Sequence, residues 1–213
     1  MSLEGIDISM QNELFDQGKV PSKTADKDRE KISKQYGGKI LFFDVETQKS
    51  AEEVGGWRNV SVMRVALAVT CDSKIGEYRT YFEKDVDKLI IDLLTADLVI
   101  GFNIDRFDIE VLRGYTTSDL SKIKTFDILR VIYKKLGFRI GLGHLAEATL
   151  GESKIADGFQ SLRWFKEGRL DLIEEYCRKD VEITKRLFDY GREKGYLLYR
   201  DYNNNLVKLA VDW

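Results

Sequence analysis

The order of the apolar segments after residue 38 limits the folds that this chain can adopt. Three runs rich in β-branched and aromatic residues come first: ILFFDVET from Ile40, NVSVMRVALAVTCD from Asn59, and IGEYRTYF from Ile75. The turn-forming residues DSK separate the second run from the third, which predicts a β-hairpin. Helical and strand-like segments then alternate up to a long amphipathic segment at 171–195. This order predicts a mixed sheet with an antiparallel half and a parallel half.

The later segments carry recognisable helix and strand signals. Leucines and isoleucines at helical spacing behind an aspartate cap predict a helix over DVDKLIIDLLTAD, and DLVIGFN is predicted as the buried strand that follows it. A short strand is expected near IKTF, and further helices over DRFDIEVLRGY, DILRVIYKKLG, LGHLAEATLG, FQSLRWFKEG and the long amphipathic segment. GYLLYRDYNNNLVKLAVDW has two β-like runs around asparagines, which predicts a small C-terminal β-hairpin. We therefore expect an α/β fold with a central five-stranded mixed sheet flanked by helices.

The first 37 residues differ in composition from the rest of the chain. They are polar and contain the mixed-charge run KTADKDREKISKQYGG, which lacks an apolar stripe wide enough to anchor a helix. In the whole chain, 43% of the residues are hydrophobic and 11% are aromatic, which is enough for a core of ordinary size. We expect residues 1–37 to be a leader or linker and residues 38–213 to form one domain.

Charge and cysteine content argue against several classes of protein. A formal net charge of −2 is not that of a protein that coats duplex nucleic acid through basic side chains. Cys71 and Cys177 lie far apart, and His144 is the only histidine, so neither a zinc site nor a disulfide scaffold is expected. No apolar stretch or basic leader predicts membrane insertion or secretion. The expected location is the cytoplasm, without a membrane partner.

Two acidic residues end the first predicted strand. Asp44 and Glu46 follow the apolar run 40–43. Strand side chains alternate between faces, so these two carboxylates point the same way and can share one cation. A solvated strand end is the alternative interpretation of so short a motif. However, a buried strand has little reason to end in two carboxylates on one face without a compensating charge.

A second acidic motif, NIDRFD at 103–108, follows the predicted strand LVIGF. It lies at a strand-to-helix junction, where α/β sheets commonly place their functional sites. Asp105 and Asp108 can each be a helix cap or an acid of the first helical turn instead, and we expect that role for Asp105. Asp108 lies one turn further along, where its carboxylate can face the first acidic pair.

The third motif, YCRKD, lies in the long predicted helix. Tyr176 and Asp180 are four residues apart, which places the phenol and the carboxylate on one helical face. This spacing is common by chance, and a tyrosine on an apolar stripe packs in a core more often than it takes part in catalysis. The motif therefore gains meaning only together with the other two.

In this order, FDVET, NIDRFD and YCRKD resemble the three motifs of the DEDD exonuclease superfamily, in its tyrosine-bearing DEDDy branch. The resemblance covers residues from about 39 to 190, with 64 residues between Asp44 and Asp108 and 72 between Asp108 and Asp180. It implies a ribonuclease H-like fold and removal of nucleotides from the 3′ end of a single strand. Proofreading domains of family-B DNA polymerases and exonuclease-like domains that accompany some helicases are similar, which makes a helicase or polymerase a candidate partner.

The resemblance implies catalytic roles for five residues: Asp44, Glu46, Asp108, Tyr176 and Asp180. Four clustered carboxylates repel one another unless cations lie among them, and oxygen ligands favour Mg²⁺ or Mn²⁺. By the resemblance, two ions are held. Asp44 would bridge both, Glu46 and Asp180 would complete the shell of one, and Asp108 would hold the second partly through water. Tyr176 would orient the attacking water.

Residues beside the motifs are candidates for substrate contacts. Thr47 and Asn103 would contact the terminal nucleotide, with ordinary backbone hydrogen bonding as the alternative. Phe107 would wedge against a base or pack in the core, and we expect packing. The segment FDVETQKSAEEVGGW departs from the commoner family form, in which threonine and glycine often follow the first motif. His144 could act as a base, as in the histidine-bearing branch, but we expect a helix-surface or capping role.

Other residues mix basic and aromatic character in a way that suits single strands. These are Trp57, Arg58, Arg163 and Trp164, which we expect to be ordinary surface or core residues. Two other functions fit the same motifs: a catalytically silent docking module of a helicase or polymerase assembly, and a ribonuclease H-like endonuclease such as a resolvase. The substrate that the resemblance implies is the 3′ end of a single strand. The strand can be DNA or RNA, because the motifs include no contact to a 2′-hydroxyl that would distinguish them.

Overall fold

A five-stranded mixed sheet forms the centre of the computed structural model, which describes residues 38–152 and 158–213. The strands are β1 (Ile40–Thr47), β2 (Val65–Asp72), β3 (Tyr78–Phe82), β4 (Leu98–Gly101) and β5 (Thr125–Asp127). Their order in the sheet is β3-β2-β1-β4-β5. β2 pairs antiparallel with both β1 and β3, whereas β4 runs parallel to both β1 and β5. The predicted mixed sheet with an antiparallel and a parallel half is confirmed.

Helices cover the sheet and a separate β-hairpin follows the last of them. The helices of the described ranges are α1 (Val86–Leu94), α2 (Asp108–Leu112), α3 (Ile128–Leu136), α4 (Leu142–Leu150), α5 (Gly158–Lys166) and α6 (Leu170–Lys194), with short 3₁₀ helices at Trp57–Val62, Glu83–Asp85 and Leu120–Lys122. The hairpin pairs β6 (Tyr196–Arg200) with β7 (Leu206–Ala210). The predicted long helix and terminal hairpin are therefore confirmed.

Side chains of β1 alternate between two hydrophobic cores, one on each face of the sheet. Phe42 packs in the core that contains Leu187 of α6, whereas Phe43 packs in the core that contains Leu89 of α1. This alternation is the strand period of two, and it lets a single strand be buried on both faces. Because α6 covers the Phe42 face, even-numbered residues at the end of β1 face that helix.

The predicted hairpin is wrong at its beginning. A strand was expected from Asn59, but a 3₁₀ helix covers Trp57–Val62 and β2 begins only at Val65. Val60 and Met63 are the residues of this segment that are buried, and they lie three positions apart. Three residues make one turn of a 3₁₀ helix, so this spacing directs both side chains into the same core, whereas a strand would point them to opposite faces.

Two predicted helix starts also differ from the structure. Asp85 precedes α1 but makes no capping hydrogen bond, and its carboxylate instead accepts one from Lys88 at 2.8 Å. The helix predicted over residues 105–115 covers only Asp108–Leu112. The residues before it form a loop whose backbone N–H groups at Asn103 and Asp105 donate to a side chain of the neighbouring strand. Phe107 has the non-helical backbone angles φ −125° and ψ −73°, so the helix begins only at Asp108.

The predicted leader at residues 1–37 lies outside the described residues. Over the ranges that the structure does describe, none of the helices combines the length and the apolar character needed to cross a membrane.

Candidate active site

Strand β1 places Asp44 and Glu46 on one face, at the end of the sheet's central strand. Both side chains are partly exposed, whereas Phe43, Val45 and Thr47, which alternate with them, are buried. This pattern follows from the two-residue period of a strand. The interpretation of the two acids as a same-facing pair is consistent with the structure.

Helix α6 adds a third carboxylate to this pair. Asp44, Glu46 and Asp180 each offer one carboxylate oxygen, and these oxygens all lie within 4.8 Å of one another. The helix packs on the sheet with its buried residues Cys177 and Val181 toward the core. Asp180, which lies between these two residues, is thereby brought to the end of β1. Residues separated by more than 130 positions thus meet at one point.

Asp108 lies beside this group without being one of the three. It is 2% exposed, and its Oδ1 accepts a hydrogen bond of 2.9 Å from the backbone N–H of Val45, the residue between the two acids of β1. One of its carboxylate oxygens is therefore bound to the backbone. Among the charges that act on Asp44, that of Asp108 contributes most to raising its pKa.

Burial and mutual repulsion oppose ionisation of these acids. Burial is the main cause that raises the pKa of Asp44 well above its ordinary value, followed by the charges of Asp108, Glu46 and Asp180. Burial likewise raises the pKa of Glu46 to about 8 and that of Asp108 to about 8. Such shifts mark a place where a cation would strongly favour the ionised carboxylates.

Tyr176 lies one helical turn before Asp180 and belongs to the same cluster. Burial raises the pKa of its phenol above the ordinary range, with contributions from the charges of Asp180, Glu46 and Asp44 and from the hydrogen bond to Asp180. The ring also makes an edge contact with Trp164, with the ring centroids 6.3 Å apart. The hydroxyl therefore stays protonated as a donor beside the carboxylates.

A cavity of about 570 Å³ opens at the acidic cluster. Asp44, Glu46 and Asp108 line it together with the three candidate substrate-contacting residues Thr47, Asn103 and Phe107. Four aromatic rings also line it: Trp57, Phe102, Phe107 and Phe159. The cavity therefore combines carboxylates with aromatic surface.

The candidate substrate contacts already have partners within the protein. The Thr47 hydroxyl donates to the carbonyl of Lys49 at 3.1 Å. This is the ordinary backbone hydrogen bonding that was the alternative to a contact with the terminal nucleotide. Asn103 has a left-handed φ of 71°, and its Oδ1 accepts a hydrogen bond of 2.8 Å from Arg139. Phe107 is half-buried and packs against core residues while its ring also reaches the cavity.

A family model described as the RNase H superfamily matches residues 41–191. The chain belongs to the RNase H superfamily. The match spans β1 through most of α6, which includes all three acidic motifs. A search of curated proteins found no match to the chain.

RNase H-like domains use divalent metal ions, and the acids of this domain fit such ions. Asp44, Glu46 and Asp180 supply hard carboxylate oxygens at short mutual distances, without sulfur or imidazole ligands. Such a donor set suits Mg²⁺ or Mn²⁺ better than zinc or copper. The RNase H-like fold and this acidic group together fit a nuclease that acts on nucleic acid.

Asp127 was not among the predicted site residues of the RNase H-like domain. It is 2% exposed, accepts hydrogen bonds from the N–H groups of Asn103 (2.9 Å) and Asp105 (3.2 Å), and caps α3 through the N–H of Arg130 (3.1 Å). It therefore fixes the loop between β4 and Asp108. An aspartate at the start of a predicted helix signalled the cap, but nothing in the sequence signalled the loop contacts.

Asp105 and His144 lie outside the cavity lining of this RNase H-like domain. Asp105 is neither a helix cap nor an acid of the first turn of α2, contrary to expectation. Its carboxylate accepts a hydrogen bond from Thr125 at 2.6 Å and pairs with Arg130 at 2.5 Å, because the loop holds it before the helix begins. His144 lies on the exposed face of α4, where its Nε2 is 3.1 Å from both the backbone N and O of Arg200. Such a helix-surface role for His144 was expected.

The basic and aromatic residues noted in the sequence fall into two groups. Arg58 and Arg163 are exposed surface residues, and Trp164 is half-buried against the core on α5. Trp57 is different, because it is both exposed and part of the cavity lining.

Proposed function

We propose that this RNase H-like domain is a metal-dependent 3′→5′ exonuclease of the DEDDy type that hydrolyses single-stranded DNA or RNA. The observation that carries this proposal is the convergence of Asp44, Glu46 and Asp180 within 4.8 Å, with Asp108 and Tyr176 beside them. These are the five residues that the resemblance to DEDDy exonucleases assigns to catalysis. Their meeting supports an active site rather than a chance match of three short motifs.

The carboxylates would hold the metal ions. Asp44, Glu46 and Asp180 form the group close enough to share one ion, and Asp108 would serve a second through its carboxylate oxygen that is not bound to Val45. When bound, Mg²⁺ or Mn²⁺ would activate the attacking water and neutralise charge on the scissile phosphate. Without a cation, burial and then the three carboxylates around Asp44 raise its pKa, so occupancy would relieve repulsion that the fold imposes.

Tyr176 would position the attacking water. Its phenol has a pKa raised by burial and by the neighbouring carboxylates, so it remains protonated at neutral pH and cannot act as a general base. A protonated hydroxyl can donate to Asp180 while accepting a hydrogen bond from water. This role is positioning rather than proton abstraction.

The two rival functions demand less of the site. A silent docking module would have no use for clustered acids whose pKa values are raised by desolvation and by mutual repulsion, because such acids destabilise the fold without a cation. A ribonuclease H-like endonuclease would use the acids but has no need for Tyr176 one turn before Asp180. The complete set therefore favours the exonuclease.

The experiment is a digestion of 5′-labelled single strands with Mg²⁺ or Mn²⁺, using parallel DNA and RNA strands of one sequence. We expect stepwise shortening from the 3′ end that stops with chelator, with a blocked 3′ terminus and in Asp44→Asn. The matched control is Asp171→Asn, an exposed aspartate on α6, which should digest normally. Cleavage of a closed circular strand would instead establish an endonuclease, and binding without any product would establish the docking module.

A further inference from the structure

Trp57 combines two properties that an ordinary surface or core residue does not share. Its side chain is 73% exposed, yet it lines the same cavity as Asp44 and Glu46. Tryptophan carries a large apolar surface. A solvent-exposed tryptophan beside the cavity of the acidic cluster therefore suggests a surface that a ligand covers.

The segment that carries Trp57 is firmly anchored. Val60 and Met63 of the same segment are buried in the core. The Asn59 side chain donates to the carbonyl of Val54 at 2.7 Å, and the N–H of Gly56 donates to the carbonyl of Ala51 at 2.6 Å. The indole is therefore presented from a fixed backbone, which lowers the entropy that a ligand must overcome on binding.

The anchoring also depends on a close contact with the turn after α2. A Cβ placed on Gly114 would lie 1.9 Å from the carbonyl oxygen of Ser61, so only glycine permits this approach. The contact joins the 3₁₀ helix of Trp57 to the element that begins with Asp108. The exposed indole and the buried acid are thus carried by elements that are in direct contact.

Aromatic neighbours extend the surface of Trp57. The Phe107 ring meets the indole edge-on, with ring centroids 6.2 Å apart and an interplanar angle of 62°. Phe159 of α5 also lines the cavity and is itself 73% exposed. Two exposed rings from separate elements at one cavity match the way that proteins hold unpaired bases, by stacking on side-chain rings.

The charges of the cavity lining favour a contact with the bases over a contact with the phosphates. Among the described residues that line it, Lys49 is the one basic side chain, against Asp44, Glu46, Glu52 and Asp108. A phosphate backbone therefore gains little attraction from the lining itself. An uncharged contact with the bases adds affinity that does not depend on the charge of the lining.

We propose that Trp57 is a nucleobase-stacking residue, on which an unpaired base near the end of a single strand stacks when that end lies at the acidic cluster. The inference rests on the proposed nuclease function for the identity of the ligand. A base inside a duplex already stacks on both neighbours, so Trp57 would also select single-stranded over double-stranded ends. Stacking is tolerant of base identity, since every base has an aromatic face.

The test measures equilibrium binding of a fluorescein-labelled oligothymidylate to the full chain carrying Asp44→Asn, so that strands stay intact. In this background, Trp57→Ala should weaken binding roughly tenfold or more, and Trp57→Phe should restore part of the loss. A strand of equal length without bases should bind weakly and should not distinguish Trp57 from alanine. The matched control is Tyr202→Ala, which removes a 95% exposed ring outside the cavity lining and should leave binding unchanged.

The outcomes separate this inference from the proposed function. Equal binding by Trp57→Ala and its parent, an equal loss on the baseless strand, or no binding by the parent would each overturn the role of Trp57. Base-dependent binding through Trp57 in a protein that never hydrolyses a strand would support the stacking role and defeat the exonuclease. Metal-dependent digestion that is unaffected by Trp57→Ala would support the exonuclease and overturn the stacking role of Trp57.

Discussion

The sulfur of Cys177 lies 3.3 Å from Oδ2 of Asp44 and 3.5 Å from its backbone carbonyl oxygen. Burial is the main cause that raises the pKa of this thiol, so it stays protonated and can donate to the carboxylate. The contact joins α6 directly to the end of β1. Cys177 therefore orients one of the acids that we propose to bind metal, although no ligand role of its own is required.

Removing the Cys177 thiol should weaken metal binding more than it weakens the fold. Cys177→Ala should lower Mn²⁺ affinity and hydrolysis by about 10- to 100-fold, as changes to side chains that orient metal ligands typically do, and Cys177→Ser should recover part of both. Cys71→Ala is the matched control, because that thiol is equally buried but donates to the backbone carbonyl of Asp72 rather than to a carboxylate of the site. Isothermal titration with Mn²⁺ checks this, and equal effects of the two alanine variants would contradict it.

Asp44→Asn should abolish the response to metal without weakening the metal-free protein. The amide removes a charge that burial, Asp108, Glu46 and Asp180 all disfavour, so the free energy of unfolding should stay equal or rise. Mn²⁺ should raise the Tm of the parent, because it binds the folded state, but not that of the variant. Thermal unfolding with and without Mn²⁺ measures both, and a variant that Mn²⁺ stabilises as much as the parent would refute the assignment.

The stability of the metal-free protein should fall as the pH rises through the neutral range. Burial raises the pKa of Glu46 from 4.5 to about 8, so the folded protein retains a proton that the unfolded chain releases. The resulting stabilisation is fully present below about pH 4.5 and is lost as the pH rises to about 8. As the pH rises across this window, the urea unfolding midpoint should fall less steeply in Glu46→Gln than in the metal-free parent. It should also fall less steeply in the parent with saturating Mn²⁺, because the cation favours ionised carboxylates. Identical slopes in all three cases would contradict the argument.

Tyr176→Phe should separate catalysis from metal binding. The substitution removes only the hydroxyl that we propose to position water, so hydrolysis should slow by about 100-fold while Mn²⁺ affinity stays nearly unchanged. Tyr190→Phe is the control on the same helix, because its hydroxyl faces Tyr196 at 3.5 Å rather than the carboxylates. Single-turnover rates and Mn²⁺ titrations on both variants decide the matter. Unchanged hydrolysis in Tyr176→Phe would remove this residue from the mechanism.

Local sequence patterns predicted the parts of the fold that depend on local periodicity. The apolar run before Asp44 predicted β1, the helical stripe around Tyr176 predicted α6, and the segment DILRVIYKKLG predicted α3. Strand alternation also placed Asp44 and Glu46 on one face. In each case, the residues that decide the structure are neighbours in the chain.

The remaining features depend on how distant elements pack. The hydrogen bond from Val45 to Asp108 and the contact of Cys177 with Asp44 arise because α2 and α6 approach β1 from separate directions. Asp127 holds the loop at Asn103 because β5 lies parallel to β4, which no local pattern encodes. β-branched residues around Val60 suggested a strand, whereas burial every third residue produced a 3₁₀ helix.

The most direct test of this account is the anomalous diffraction of a crystal soaked in Mn²⁺. We expect an anomalous peak bound by carboxylate oxygens of Asp44, Glu46 and Asp180, and its loss in Asp44→Asn. A crystal that takes up no Mn²⁺ at these three side chains, or that shows their oxygens too far apart to share an ion, would contradict the metal-dependent nuclease.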